Sequence, residues 1–238
     1  MTRTLLLATV TTCALIAPPA AAADAPDRDK VRAALRELNE YIGKWEGSGG
    51  PPPGRPAKPG EVWKESLDWG WKFGEGGDAW LVFRTQGGRH FSAGELRYLP
   101  DRKLYQLTVT DPADGKRVFE GAFTRGRLEL FHVDPATKDR QRLTLSTNNQ
   151  GARFIYEYAV QPNGRGVPRR VFMVQLTREG QSLAARGPKR ECVVTGGLGT
   201  IAVSHNGKTY YVCCSGCADA FKEDPEGILK EYEARKRK

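Results

Sequence analysis

Between residues 24 and 191 the sequence contains no cysteine, and that long middle holds just two histidines, His90 and His132. The first absence excludes a disulfide or a thiolate metal site from most of the chain. The second bears on haem: a haem-binding barrel needs an inward axial histidine, and neither residue sits in a context that supplies one. No Ser-His-Asp order, Gly-x-Ser-x-Gly elbow or Gly-rich phosphate loop is present, so the expectation is a protein that is not an enzyme. Long apolar runs are missing too. The run from Leu5 to Ala17 stops at Pro18-Pro19, short of the about 20 residues that a membrane-spanning helix needs.

That short run is informative in another way. Met1-Thr2-Arg3, an apolar stretch and Ala21-Ala22-Ala23 before Asp24 have the order of a secretory signal peptide over residues 1–23. Val10-Thr11-Thr12 does not suit a lipoprotein cysteine at Cys13, so Cys13 is expected to leave with the leader. The expected localisation is exported, periplasmic or extracellular. The formal net charge is +9, with basic and acidic residues interleaved along the chain. Nucleic acid is therefore not an expected partner. The tight basic run is the tail Arg235-Lys236-Arg237-Lys238, expected to be a frayed, solvated end that could make weak contact with an anionic surface.

Val31, Leu35, Leu38, Tyr41 and Ile42 recur at helical spacing, with Asp27 placed to cap, and predict one amphipathic helix across residues 27–45. Residues 48–60 are rich in Pro and Gly and predict a loop. From residue 61 to 179 the period changes to two. Tyr105, Leu107 and Val109 alternate with polar residues, as do Phe154, Tyr156 and Tyr158, and Phe172, Val174 and Leu176. Turn signals such as Asp114-Gly115, Arg125-Gly126 and Asn163-Gly164 separate the runs. This is the pattern of an antiparallel meander of about nine or ten strands, which avoids exposed edges best by closing into a barrel. Residues 181–189 read as a linker. Beyond them, Asn206-Gly207 joins two short strands as a hairpin. A short helix follows from Ser215, and Asp224-Pro225 opens another.

The four remaining cysteines, Cys192, Cys213, Cys214 and Cys217, all lie in this last unit. Three readings are open. A metal site would use Cys192, Cys213 and Cys217, with Cys214 as a spare fourth sulfur. The two strands would carry Cys192 back to a strand-to-helix junction where the helix dipole favours thiolates. Thiolates select Zn(II), Cu(I) or Fe–S iron over hard cations, and a unit this small usually needs a metal or disulfides. A disulfide framework is the ordinary expectation for an exported chain with an even number of cysteines. Redox catalysis by Cys214-Ser215-Gly216-Cys217 would require a thioredoxin-like context for which too little chain remains. His205, at the hairpin turn, is expected to face solvent rather than a metal.

Glu191-Cys192-Val193-Val194-Thr195-Gly196, the run from His205 to Cys217, Phe221 and Asp224-Pro225-Glu226 together resemble the YHS domain, which overlaps the TRASH family. That resemblance implies metal binding, zinc or copper, at the places of Cys192, Cys213 and Cys217. Cys214 matches a double cysteine seen in some members, and Val193 stands where a proline is usual. Gly43-Lys44-Trp45 resembles the Gly-x-Trp signature of lipocalins and related calycins, which implies a tryptophan plugging one barrel end. Ala79-Trp80-Leu81, Glu95-Leu96-Arg97-Tyr98, Lys103-Leu104-Tyr105 and Gly121-Ala122-Phe123 resemble a family of exported barrels of unknown function. A barrel of this size can hold one small ligand. The five tryptophans, Trp45, Trp63, Trp69, Trp71 and Trp80, would either line such a cavity or pack the core.

The fold expected is mainly β: a calycin-like antiparallel barrel with an N-terminal helix (residues 28–180), then a small α+β cysteine module of one hairpin and two helices (residues 190–238). The function expected is capture or sensing of a transition metal, with a barrel open to a small apolar ligand or a partner. The rival is an enzyme or ligand-binding barrel whose cysteine unit is a disulfide-stapled structural module.

Overall fold

Period-two sequences bury one face of each strand, and ten such strands here curl until the first meets the last. The computed structural model describes residues 28–148, 151–180 and 190–237. The expected leader, the expected Asp27 cap, the expected linker and Lys238 lie outside them. The strands are β1 (Gly43–Gly50), β2 (Trp63–Phe73), β3 (Ala79–Gln86), β4 (Ala93–Leu99), β5 (Leu104–Thr110), β6 (Lys116–Thr124), β7 (Arg127–Val133), β8 (Arg140–Asn148), β9 (Arg153–Gln161) and β10 (Arg169–Arg178). Each pairs antiparallel with its sequence neighbour, and β1 pairs with β10 to close the barrel. This is the closed antiparallel barrel that the alternation predicts, and it matches the calycin-like fold that the Gly-x-Trp resemblance implies.

Leu107, Phe119, Leu128, Leu130, Phe154 and Val174 fill the interior and are wholly buried. Each contributes roughly 1.5–3 kcal/mol through burial. A void of about 20 Å³ is bounded by Leu67, Trp69, Phe83, Leu107, Leu145 and Phe154 among others. That is room for about one water. Apolar side chains pack closely around that void. Trp45, Trp69 and Trp71 are core residues.

One end of the barrel is closed by the segment ahead of β1. The helix α1 (Arg28–Arg36) is shorter than the periodicity predicts. Leu38, Tyr41 and Ile42 keep their apolar role, but in a 3-10 turn over Asn39–Tyr41 that redirects the chain into β1. Tyr41 donates its hydroxyl to Leu145 O at 2.9 Å, and Tyr105 donates to Ala34 O at 2.8 Å. Trp45 sits in β1, wholly buried, with its indole N–H on Tyr41 O. Arg178 lies over its ring at 4.1 Å. The guanidinium donates to Gly151 O, Ile42 O and Glu40 O, and burial lowers its pKa to about 10, so it stays charged at neutral pH. Gly43 is required here. Its φ is +123°, and a Cβ would stand 2.7 Å from the Arg178 guanidinium. Ser48 to Gly50, expected in the loop, complete β1 instead, because Gly47 lets that strand approach β10 closely.

The second unit comprises β11 (Ile201–His205), β12 (Lys208–Val212), α2 (Ser215–Glu223) and α3 (Pro225–Lys236). Asn206 and Gly207 both take positive φ, as their hairpin turn demands. Asp224 caps α3, its side chain accepting from Gly227 N at 2.9 Å. Among the described residues no helix is long and apolar enough to cross a membrane.

Candidate metal centre

Each of the cysteines arrives from a different local geometry. Cys192 lies in a tight loop, with its N–H on Gly197 O and Gly196 N on its carbonyl. Val193 N donates to Tyr211 O, which ties that loop to β12. Cys213 follows the end of β12. Cys214 is the N-cap residue of α2, in extended conformation, and Cys217 stands in the first turn of that helix. The hairpin therefore does bring Cys192 back to the strand-to-helix junction. The sulfurs of Cys192, Cys213 and Cys217 all lie within 4.8 Å of one another, a cluster that can hold a metal ion. The Cys213–Cys217 separation is 3.5 Å. Metal–sulfur bonds of about 2.3 Å set tetrahedral sulfurs about 3.8 Å apart and trigonal ones about 4.0 Å apart, so the spacing fits either geometry. The four described cysteines are unbridged.

Burial makes this cluster electrostatically demanding. Cys192 and Cys217 are 0 % exposed and Cys213 is 4 % exposed. Hydrogen bonds from Cys213 and then Cys217 hold the Cys192 and Cys214 thiols well below the ordinary thiol value. Cys213 and Cys217, as the donors, are pushed above it, foremost by Cys192. Four adjacent buried thiols cannot all ionise, and a cation would displace the protons that remain. Thr195, also buried, places its hydroxyl 3.5 Å from the Cys213 sulfur.

Cys214 differs from the other three. Its sulfur is 4.0 Å from that of Cys213 but stays outside the mutually close set. It faces the barrel and accepts the Trp71 backbone N–H at 3.3 Å. The reason lies in the sheet. Pairing of β1 with β2 ends at Gly43 and Trp69, which leaves the edge of β2 open at Gly70 and Trp71. The start of α2 covers that edge. Gly216 is needed for the approach, since a Cβ there would sit 1.9 Å from Trp71 O.

Two further contacts escaped sequence reasoning. Asn39, in the 3-10 turn that plugs the barrel, donates to Thr195 O at 3.0 Å. Arg235, expected in a frayed tail, belongs to α3 and donates to Val193 O at 2.6 Å, which pins the Cys192 loop. The basic tail is thus partly structural. His205 is half-buried, its ring edge-on to Phe221, and takes no part in the cluster.

No protein-family model matches the chain, and no curated protein matches it. The YHS/TRASH and lipocalin resemblances rest on their motifs alone. Among solved structures, the crystal structure of Rv2717c from M. tuberculosis is similar, at 18 % identity and a TM-score of 0.38 over 61 % of this chain and 97 % of that one. The likeness is distant.

Proposed function

We propose that the chain is an exported, non-enzymatic metal-binding protein that captures or senses a transition metal, Zn(II) or Cu(I), through Cys192, Cys213 and Cys217. The observation that carries this reading is the convergence of three buried sulfurs within 4.8 Å, from a loop, a strand end and a helix start. The reading gains support from the size of the unit, which has little apolar core of its own. Export rests on the leader-like residues 1–23. In this reading the packed barrel is the scaffold on which the metal module is docked, and it contributes no catalytic step.

Elemental analysis of protein recovered from its native compartment, with thiol counting before and after chelation, tests the proposal. One metal per chain, with cysteines that react only after chelation, is the expected result. Two disulfides and no metal would overturn it in favour of a stapled structural module. N-terminal sequencing of the same material should begin at Asp24.

A further inference from the structure

Five of the six large apolar side chains that stay exposed among the described residues are valines gathered at one end of the barrel. Val62 precedes β2, Val118 lies near the start of β6, Val133 closes β7, and Val167 and Val171 flank the start of β10. Antiparallel order puts these strand ends together, opposite the Trp45 plug. We propose that this rim docks on an anionic lipid bilayer, with its valines in the interface and the arginines beside them among the headgroups. The inference stands independently of the metal centre.

The strand register makes the patch continuous. Val118 and Val133 lie on the paired strands β6 and β7, where His132 Nδ1 is 2.8 Å from Val118 O. Val133 pairs with Arg140, and Phe131 with Arg142. The Arg140 guanidinium lies over the Phe131 ring at 4.1 Å. Arg142 and Arg170 flank Ala159 from β8 and β10. A register shift between Arg170 and Phe172 makes Val171 a bulge residue, so Arg169, Arg170 and Val171 are exposed in succession.

Charge selects the occupant. Arg140, Arg142, Arg169 and Arg170 crowd this sector, and one carboxylate, Glu157, serves two of them, at 3.7 Å from Arg142 and 3.2 Å from Arg170. The nearby Asp134 and Asp139 accept backbone N–H groups of Ala136, Thr137 and Asn163, which shape the rim loops. A second copy of so basic a face would be repelled. A soluble polyanion would use the arginines and leave the valines in water. An acidic headgroup layer above acyl chains uses both.

The test uses the full chain and vesicles of phosphatidylcholine, with and without phosphatidylglycerol at about one lipid in three. Sedimentation should find the chain on the anionic vesicles, not on the neutral ones, and raised salt should release it. Arg140→Gln with Arg169→Gln should weaken binding about 25-fold, at about 5-fold per charge. Val167, 88 % exposed, can change without disturbing the core, and Val167→Asp should weaken binding at least about 5-fold at an unchanged urea midpoint. Lys236→Gln with Arg237→Gln, which alters the basic tail, should leave it as it was. Equal binding to both vesicle types, or loss from the tail variant but not the rim variants, would overturn the inference. So would a chain that ignores vesicles, whether it holds dextran sulfate instead or forms a dimer that Val167→Asp abolishes. None of these outcomes touches the metal-binding reading, which chelation and thiol counting decide.

Discussion

Phe119 and Leu130 are wholly buried because ten strands surround them. In the hairpin β11–β12 only Val212 is buried, and the interior of that unit consists of four sulfurs, Val193, Thr195 and Phe221. An isolated two-stranded hairpin is marginal in water. The barrel is therefore held by apolar area, while the module, with four sulfurs in its interior, is held in large part by what it leans on. It leans on the barrel at three places: Cys214 and Gly216 against Trp71, Asn39 against Thr195, and a hydrophobic cluster that runs from the barrel into Cys192, Cys213 and Phe221. A second unit that cannot bury enough of itself borrows the open edge of the first.

The largest expected effect comes from the side that does not depend on sulfur. Trp45→Ala empties the plug of the barrel and strands the Arg178 guanidinium that lies over the ring. A loss of about 3–5 kcal/mol follows for a large aromatic cavity, measured as a lowered urea midpoint. If the module depends on the barrel, the cysteines of this variant should become reactive in the same transition. Thiols that stay protected beyond barrel unfolding would show two independent units.

The reverse experiment acts on the seam. Gly216→Ala forces a Cβ toward Trp71 O and must push α2 away from β2. Overpacking of this kind costs about 1–3 kcal/mol. The expected result is a barrel that melts nearly as before, with thiols alkylated at least about tenfold faster. Equal loss in both units would mean that the seam holds the barrel as well.

The barrel was legible because its signal is local and repeated: alternating apolar residues, broken by turn residues, state strands and their order directly. The hairpin at Asn206-Gly207 and the Asp224 cap were legible for the same reason, as was the convergence of Cys192, Cys213 and Cys217, which needs a hairpin and a helix start and nothing more distant. Where the reading ran past the structure, the deciding partner was remote in sequence. Leu38, Tyr41 and Ile42 have helical spacing, but the strands they plug make a tight turn the better use of them. Gly49 and Gly50 look like loop until β10 lies beside them. Cys214 has the spacing of a ligand, but its bond to the open edge at Trp71, 143 residues away, leaves no local signal. Arg178 and Arg235 carry no signal in their own neighbourhoods.

The smallest effect compares how each unit handles a buried ionisable group. The module is expected to offset its thiolates with a cation. The barrel buries a single carboxyl, Glu65, 4 % exposed, among the described buried residues, and has no cation against it. The Tyr156 hydroxyl donates to it at 2.6 Å and the Trp63 indole at 2.7 Å. Desolvation outweighs both donors and raises the Glu65 pKa. The folded chain therefore keeps a proton on Glu65 over a pH range where the unfolded chain has lost it. The stability that this contributes is present at low pH and is lost as pH rises from the ordinary carboxylate range through the raised value. Glu65→Gln imitates the protonated form, since its amide can accept from Trp63 and donate to the Tyr156 oxygen. Urea midpoints of the two chains should agree near the acid end of that range, and the variant should gain on the parent as pH climbs, by less than Gly216→Ala costs. A gap that widens toward acid instead would mean that the two hydrogen bonds overcome desolvation, and that the barrel, like the module, stabilises a buried anion.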